Sequence, residues 1–172
     1  MKKITLLLAF IGMITLQSCV REEVIVQDTY DNDTISEVFE VTRSFNTGNN
    51  FSTLVNLGTP IYSSDMILVY HLYSVVNGQD VWRMMPQTYY FSNGGELDYN
   101  FDFTRYDVSI FLDANFPLVD LSSVWTQNQT FRIVIIPGYF SNRTMQQVNL
   151  EDYDAVINYY GINDKNVKKI NL

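Results

Sequence analysis

Glu96-Leu97-Asp98-Tyr99-Asn100-Phe101-Asp102-Phe103 alternates polar and apolar residues without a break. Successive side chains of a strand point to opposite faces, so this octet predicts a strand with one wet face and one buried face. The next segment, Tyr106 to Asp113, sets Tyr106, Val108, Ile110 and Leu112 against Asp107, Ser109 and Asp113. Its other face also carries Phe111, which predicts a central strand. Phe51 to Leu57 alternates more loosely, and Phe39, Val41 and Phe45 share a face that Arg43 interrupts. Met66 to Val76 and Phe131 to Ile136 are nearly all apolar, as expected of strands covered on both sides.

Turn chemistry fills the gaps. Asn77-Gly78 between two apolar runs signals a hairpin, because both residues tolerate the positive φ of a type I′ turn. Asn93-Gly94-Gly95 joins Gln87–Phe91 to the alternating octet, while Gly58-Thr59-Pro60 and Pro137-Gly138 end two other runs. Pro86 either splits Val81 to Phe91 into two strands or marks an edge bulge. Leu150, Tyr153, Ile157 and Tyr160, with Val156 beside them, form the apolar face of a helix. Asn149 is the expected cap, Glu151 and Asp152 suit the first turn, and Gly161 stops the helix. Val167 to Leu172 is expected to return as a short edge strand. The pattern predicts a mainly β fold, an antiparallel β-sandwich of about eight strands with one C-terminal α-helix.

Composition supports a core without covalent staples. Apolar residues make up 47% of the chain and aromatic residues 15%, with twelve Tyr and eleven Phe. Cys19 is the only cysteine, so no internal disulfide forms and burial must carry stability. The net charge is −8, and loss of Lys2 and Lys3 would take it to −10. An acidic domain without a Lys/Arg cluster is a poor partner for nucleic acid. Lys165, Lys168 and Lys169 read as a solvated end.

Cys19 also reads as an address. Lys2 and Lys3 precede an apolar run from Ile4 to Leu16, and Ser18 supplies a small residue before the cysteine. Those thirteen residues would span only ~20 Å as a helix, short of the ~30 Å hydrocarbon core. Leu16-Gln17-Ser18-Cys19 resembles a bacterial lipobox, which implies removal of residues 1–18 as a signal peptide and acylation of Cys19. Residues 19–36 then read as an acidic, extended tether, and 37–172 as the folded domain. Arg21-Glu22-Glu23 resembles the surface-export signal of Bacteroidetes lipoproteins. Asp33-Thr34-Ile35 matches their short O-glycosylation signal. Asp28, Asp31 and Asp33 lack the glycine and distal glutamate of an EF-hand loop, so a solvated linker is the better reading.

A wider resemblance runs through Asp65 to Leu72, Val81-Trp82, Pro86-Gln87-Thr88, Leu97 to Asp102, Phe111-Leu112-Asp113 and Trp125 to Arg132. In this order they resemble a group of small flavobacterial lipoproteins over roughly Glu37 to Pro137. Many of those relatives carry a collagen-like Gly-Pro stretch after the cysteine, whereas Val20 to Ser36 contains neither residue. The resemblance implies location and fold, and no site residues.

Catalytic chemistry has little to use. Cys19 is consumed by acylation, and His71 is the only histidine, set in the most apolar strand without a Gly-x-Ser-x-Gly elbow. A His-based metal site lacks ligands, so no metal or cofactor is expected. Glu96, Asp98 and Asp102 share a face and are the one carboxylate set a hydrolase would have, but they read as the wet side of a strand. Trp82, Trp125, Tyr89, Tyr90, Tyr139 and Phe140 would suffice for an aromatic platform. Most belong to the core, and Trp125 is expected to be the most exposed, because Ser122 to Asn128 reads as a loop. The expected protein is a non-catalytic, lipid-anchored outer-membrane lipoprotein, with glycan or peptide binding through Trp125 and Trp82 as the alternative role.

Overall fold

The computed structural model describes residues 36–138 and 148–170. Cys19, the signal segment, the tether through residue 35, Tyr139, Phe140 and residues 171–172 of the expected edge strand lie outside the described residues. The strands are β1 (Glu37–Arg43), β2 (Ser52–Asn56), β3 (Met66–Val76), β4 (Gln79–Met84), β5 (Gln87–Tyr90), β6 (Glu96–Phe103), β7 (Asp107–Ala114), β8 (Gln129–Ile136) and β9 (Lys168–Lys169). The helices are a single turn α1 (Ser123–Thr126) and α2 (Tyr153–Tyr160). One sheet has the order β4-β3-β8-β1-β9 and the other β2-β7-β6-β5. The ladders are antiparallel except at the edge, where β9 joins β1 in parallel through Phe39–Lys168 and Glu40–Lys169. The architecture is the expected β-sandwich.

The alternation of β6 decides how the sheets face. Leu97 and Tyr99 are buried, while Glu96 and Asp102 are exposed. Opposite them in register stand Ala114 and Leu112 of β7, which is central in its sheet as its pattern predicts. Between the sheets these side chains meet Phe39 and Val41 of β1, Val69 of β3 and Phe131 and Ile133 of β8. Arg43 completes the inward row of β1 and is buried. Its Nη1 donates to the carbonyl oxygens of Thr42 and Ile170, which ties the last described residues to β1. Burial lowers the Arg43 pKa from its ordinary value.

Asn77 and Gly78 both have positive φ (52° and 78°), the type I′ geometry, and they turn β3 into β4. Pro86 splits its segment in two: β4 belongs to the five-stranded sheet and β5 to the four-stranded one. The apolar runs of β3 and β8 are explained by α2. Its Tyr153, Val156 and Ile157 cover Leu68, Tyr70, Val134 and Ile136 on the outer face of the five-stranded sheet, forming a second core. Outside that cover, at the far end of β3, Tyr73, Val75 and Val76 are exposed.

Two details of the helix differ from expectation. Asp152, not Asn149, is the cap: its Oδ1 accepts from Ala155 N at 3.0 Å. Asn149 instead accepts from Glu151 N, and Leu150 lies before the helix, where its carbonyl accepts from the Tyr70 hydroxyl at 2.7 Å. The apolar spacing began one turn early because Leu150 packs against the same cluster without being helical. Asp152→Ala should cost about 1 kcal/mol in urea unfolding, the usual loss for a missing N-cap acceptor. Asn149→Ala should cost less, and the reverse order would reassign the cap. Among the described residues no helix is long and apolar enough to cross a membrane.

Candidate functional site

At the end of the sandwich where β1 finishes, the β5–β6 hairpin and the β7–β8 connection enclose a groove of about 310 Å³. It is lined by Phe91, Asn93, Phe116, Asp120, Leu121, Ser122 and Trp125. The hairpin forms because Gly94 takes φ 85° and Asn93 Oδ1 accepts from Gly95 N at 3.0 Å. Asn115 then joins the two walls: its Oδ1 accepts from Glu96 N and its Nδ2 donates to Gly94 O. Phe116 lies against the bare backbone of Gly95, where an added Cβ would come within 3.1 Å of its ring.

The second wall is held from below. The Tyr99 hydroxyl donates to the Trp125 carbonyl, and Gln129 Nε2 donates to the carbonyls of Val124 and Gln127 at 2.9 and 2.8 Å. Phe45 N donates to Thr126 O at 2.7 Å. Trp125 itself is half-buried, its ring 4.9 Å from Tyr89 and 5.3 Å from Phe91. Its expected exposure is therefore corrected: the loop is a helical turn whose indole packs on the core. One side of the ring remains on the groove.

His71 anchors this support. Gln129 Oε1 lies 2.9 Å from its Nε2 and the Tyr89 hydroxyl 3.3 Å from its Nδ1. The ring stacks between Tyr99 and Phe131 at 4.5 and 4.9 Å. Since the Gln129 oxygen only accepts, Nε2 carries the proton and Nδ1 accepts from Tyr89. Burial pushes the His71 pKa down to about 4, which keeps the ring neutral. His71 is thus the hydrogen-bonded strand residue expected, and it sits beneath the groove.

The polar rim is uncommitted. Asn93 Nδ2, the Asp120 carboxylate, the Ser122 hydroxyl and the Trp125 indole N–H make no hydrogen bond among the described residues. Ordered aromatic walls and free polar groups are what a small-molecule site needs, and fixed walls lower the ordering cost of binding.

The other candidates separate from this site. Trp82 belongs to the second core, on the opposite side of the five-stranded sheet from the cluster that Trp125 joins. Its ring is covered by the Arg132 guanidinium at 4.4 Å and tilts against Tyr153 at 5.7 Å. Arg132 is in turn held by Glu40 at 3.3 Å, Asp164 at 3.4 Å and the Tyr153 hydroxyl at 2.6 Å. An outer edge of Trp82 lines a separate groove of about 490 Å³ beside Pro86 and Glu151. Tyr89 is buried and Tyr90 is 76% exposed at the sheet edge, so the described aromatics do not form one platform.

Glu96, Asp98 and Asp102 stand on the open outer face of β6, with Asp98 opposite Asp113. None of them lines the Trp125 groove. Among the described residues no group of three or more His, Cys, Asp or Glu is placed to hold a metal ion. Phe91, Asn93, Phe116, Asp120, Leu121 and Ser122 were not picked out by sequence reasoning. Their one signal is an apolar cluster, Phe116 to Leu121, in a connection that a solvated loop would not need. Comparison of the chain with protein-family models, with curated proteins and with solved structures finds no match.

Proposed function

We propose that this protein is a non-catalytic, lipid-anchored binding domain of the bacterial envelope, held in the outer membrane through acylated Cys19. The groove at Trp125 carries the binding part of this reading: aromatic walls ordered from below and four polar groups with no partner among the described residues. The groove adjoins the Arg43–Gln129 end of β1, about 20 Å along the strand from Glu37.

The anchor is tested by fractionation. Wild-type protein should sediment with outer membranes, and Cys19→Ala should move to the soluble or inner-membrane fraction without change in the domain's circular dichroism. Retention of Cys19→Ala in outer membranes would exclude lipid anchoring at this residue. Protease treatment of intact cells separates surface display, which the acidic pair Glu22-Glu23 favours, from a periplasmic orientation.

A further inference from the structure

We infer that the Trp125 groove takes a neutral saccharide, one or two rings of a glycan; this rests on its being a binding site at all. Charge makes the first selection. Among the described residues no lysine or arginine lines the groove, Asp120 stands on its rim, and the chain carries −8 overall. Phosphate, sulfate and uronate groups would meet a repulsive field with no cation to pair them.

The polar groups make the second selection. Asp120 only accepts, Asn93 Nδ2 and the Trp125 indole N–H only donate, and the Ser122 hydroxyl does both. Donors and acceptors interspersed over one small rim match vicinal hydroxyls, each of which also donates and accepts. The aromatic walls make the third. Phe91, Phe116 and Trp125 meet at ring separations of 5.3 and 5.9 Å, presenting apolar surface on which the C–H face of a pyranose packs.

A peptide fits less well. Extended peptides gain affinity from an open strand edge, and these walls come from a hairpin loop and a connection between strands. The groove's 310 Å³ is at the small end of ligand pockets, enough for short saccharides.

The test uses the full-length protein and its two tryptophan indole N–H signals in NMR, Trp82 serving as internal control. The probes are neutral oligosaccharides (cello-, manno-, xylo- and chito-oligomers), an oligogalacturonate, a heparin tetrasaccharide and a lysine-containing tripeptide. At least one neutral saccharide should shift the Trp125 signal below about 1 mM, the range of a weak specific site. Asp120→Ala, at an exposed side chain with no hydrogen bond among the described residues, should fold normally and bind about tenfold more weakly. Trp125→Ala, which removes the reporter and is therefore read by calorimetry after circular dichroism confirms the fold, should abolish binding. A response to the acidic saccharides or the tripeptide alone would overturn the saccharide assignment and leave the groove as a site of another class. No Trp125 response to any probe at 10-fold higher concentration would overturn both readings.

Discussion

Phe131→Ala should lower the unfolding free energy by about 3–5 kcal/mol, the usual loss for a large aromatic removed from a sealed core. Phe131 has no solvent exposure and lies on β8, the middle strand of its sheet. Its ring touches the edge of Phe45, stacks on His71 and tilts against Tyr99, so truncation opens a cavity with walls from both sheets. Two of those walls, His71 on β3 and Tyr99 on β6, stand on strands paired on both sides, which resist inward collapse. Because a domain of this kind is worth only about 5–15 kcal/mol in total, the variant should unfold at much lower urea. Phe103→Ala is the matched control: 43% exposed at the end of β6, it should cost about 1 kcal/mol or less. Equal losses at both positions would mean that the core is not sealed as described.

The fold was legible wherever one local rule acted alone. Period-two alternation located β6 and β7, Asn77-Gly78 located a hairpin, and a spaced apolar stripe ended by Gly161 located α2. The two all-apolar strands announced cover on both faces, although not that α2 supplies the second cover. Positions set by distant partners were not legible. Trp125 reads as a loop residue because its burial depends on Tyr89 and on a hydrogen bond from Tyr99, 26 positions away. Trp82 reads as a platform until Arg132, 50 positions on, is seen over its ring. The groove follows the same rule. Connections carry no period, so Phe91, Phe116 and Asp120 become neighbours only once Asn115 has joined the two loops.

Acidification should destabilise the domain through His71, and by a similar amount. In the unfolded chain its pKa is near 6.5; in the fold burial holds it at about 4. The sign follows from proton counting. Above 6.5 both states carry a neutral ring, and the contribution is fully present. As pH falls below 6.5 the unfolded state takes up a proton that the folded state refuses, and stability drops by up to about 1.4 kcal/mol per pH unit. Near pH 4 the accumulated loss reaches about 3 kcal/mol, and below it the folded ring protonates as well. That proton would have to enter at Nδ1, which then donates where it had accepted from Tyr89. Urea unfolding at pH 7 and pH 4.5 measures the effect, and His71→Phe isolates it from the carboxylates that titrate over the same range. The variant loses the bonds to Tyr89 and Gln129 and should be weaker at pH 7, yet it should show a shallower pH slope. An equal slope in both proteins would assign the acid sensitivity elsewhere. The groove should report the same event. Gln129 links the His71 ring to the carbonyls of Val124 and Gln127, and Tyr89 carries the Trp125 ring. The Trp125 indole signal should therefore shift as pH approaches 4 while that of Trp82, in the other core, follows only global unfolding.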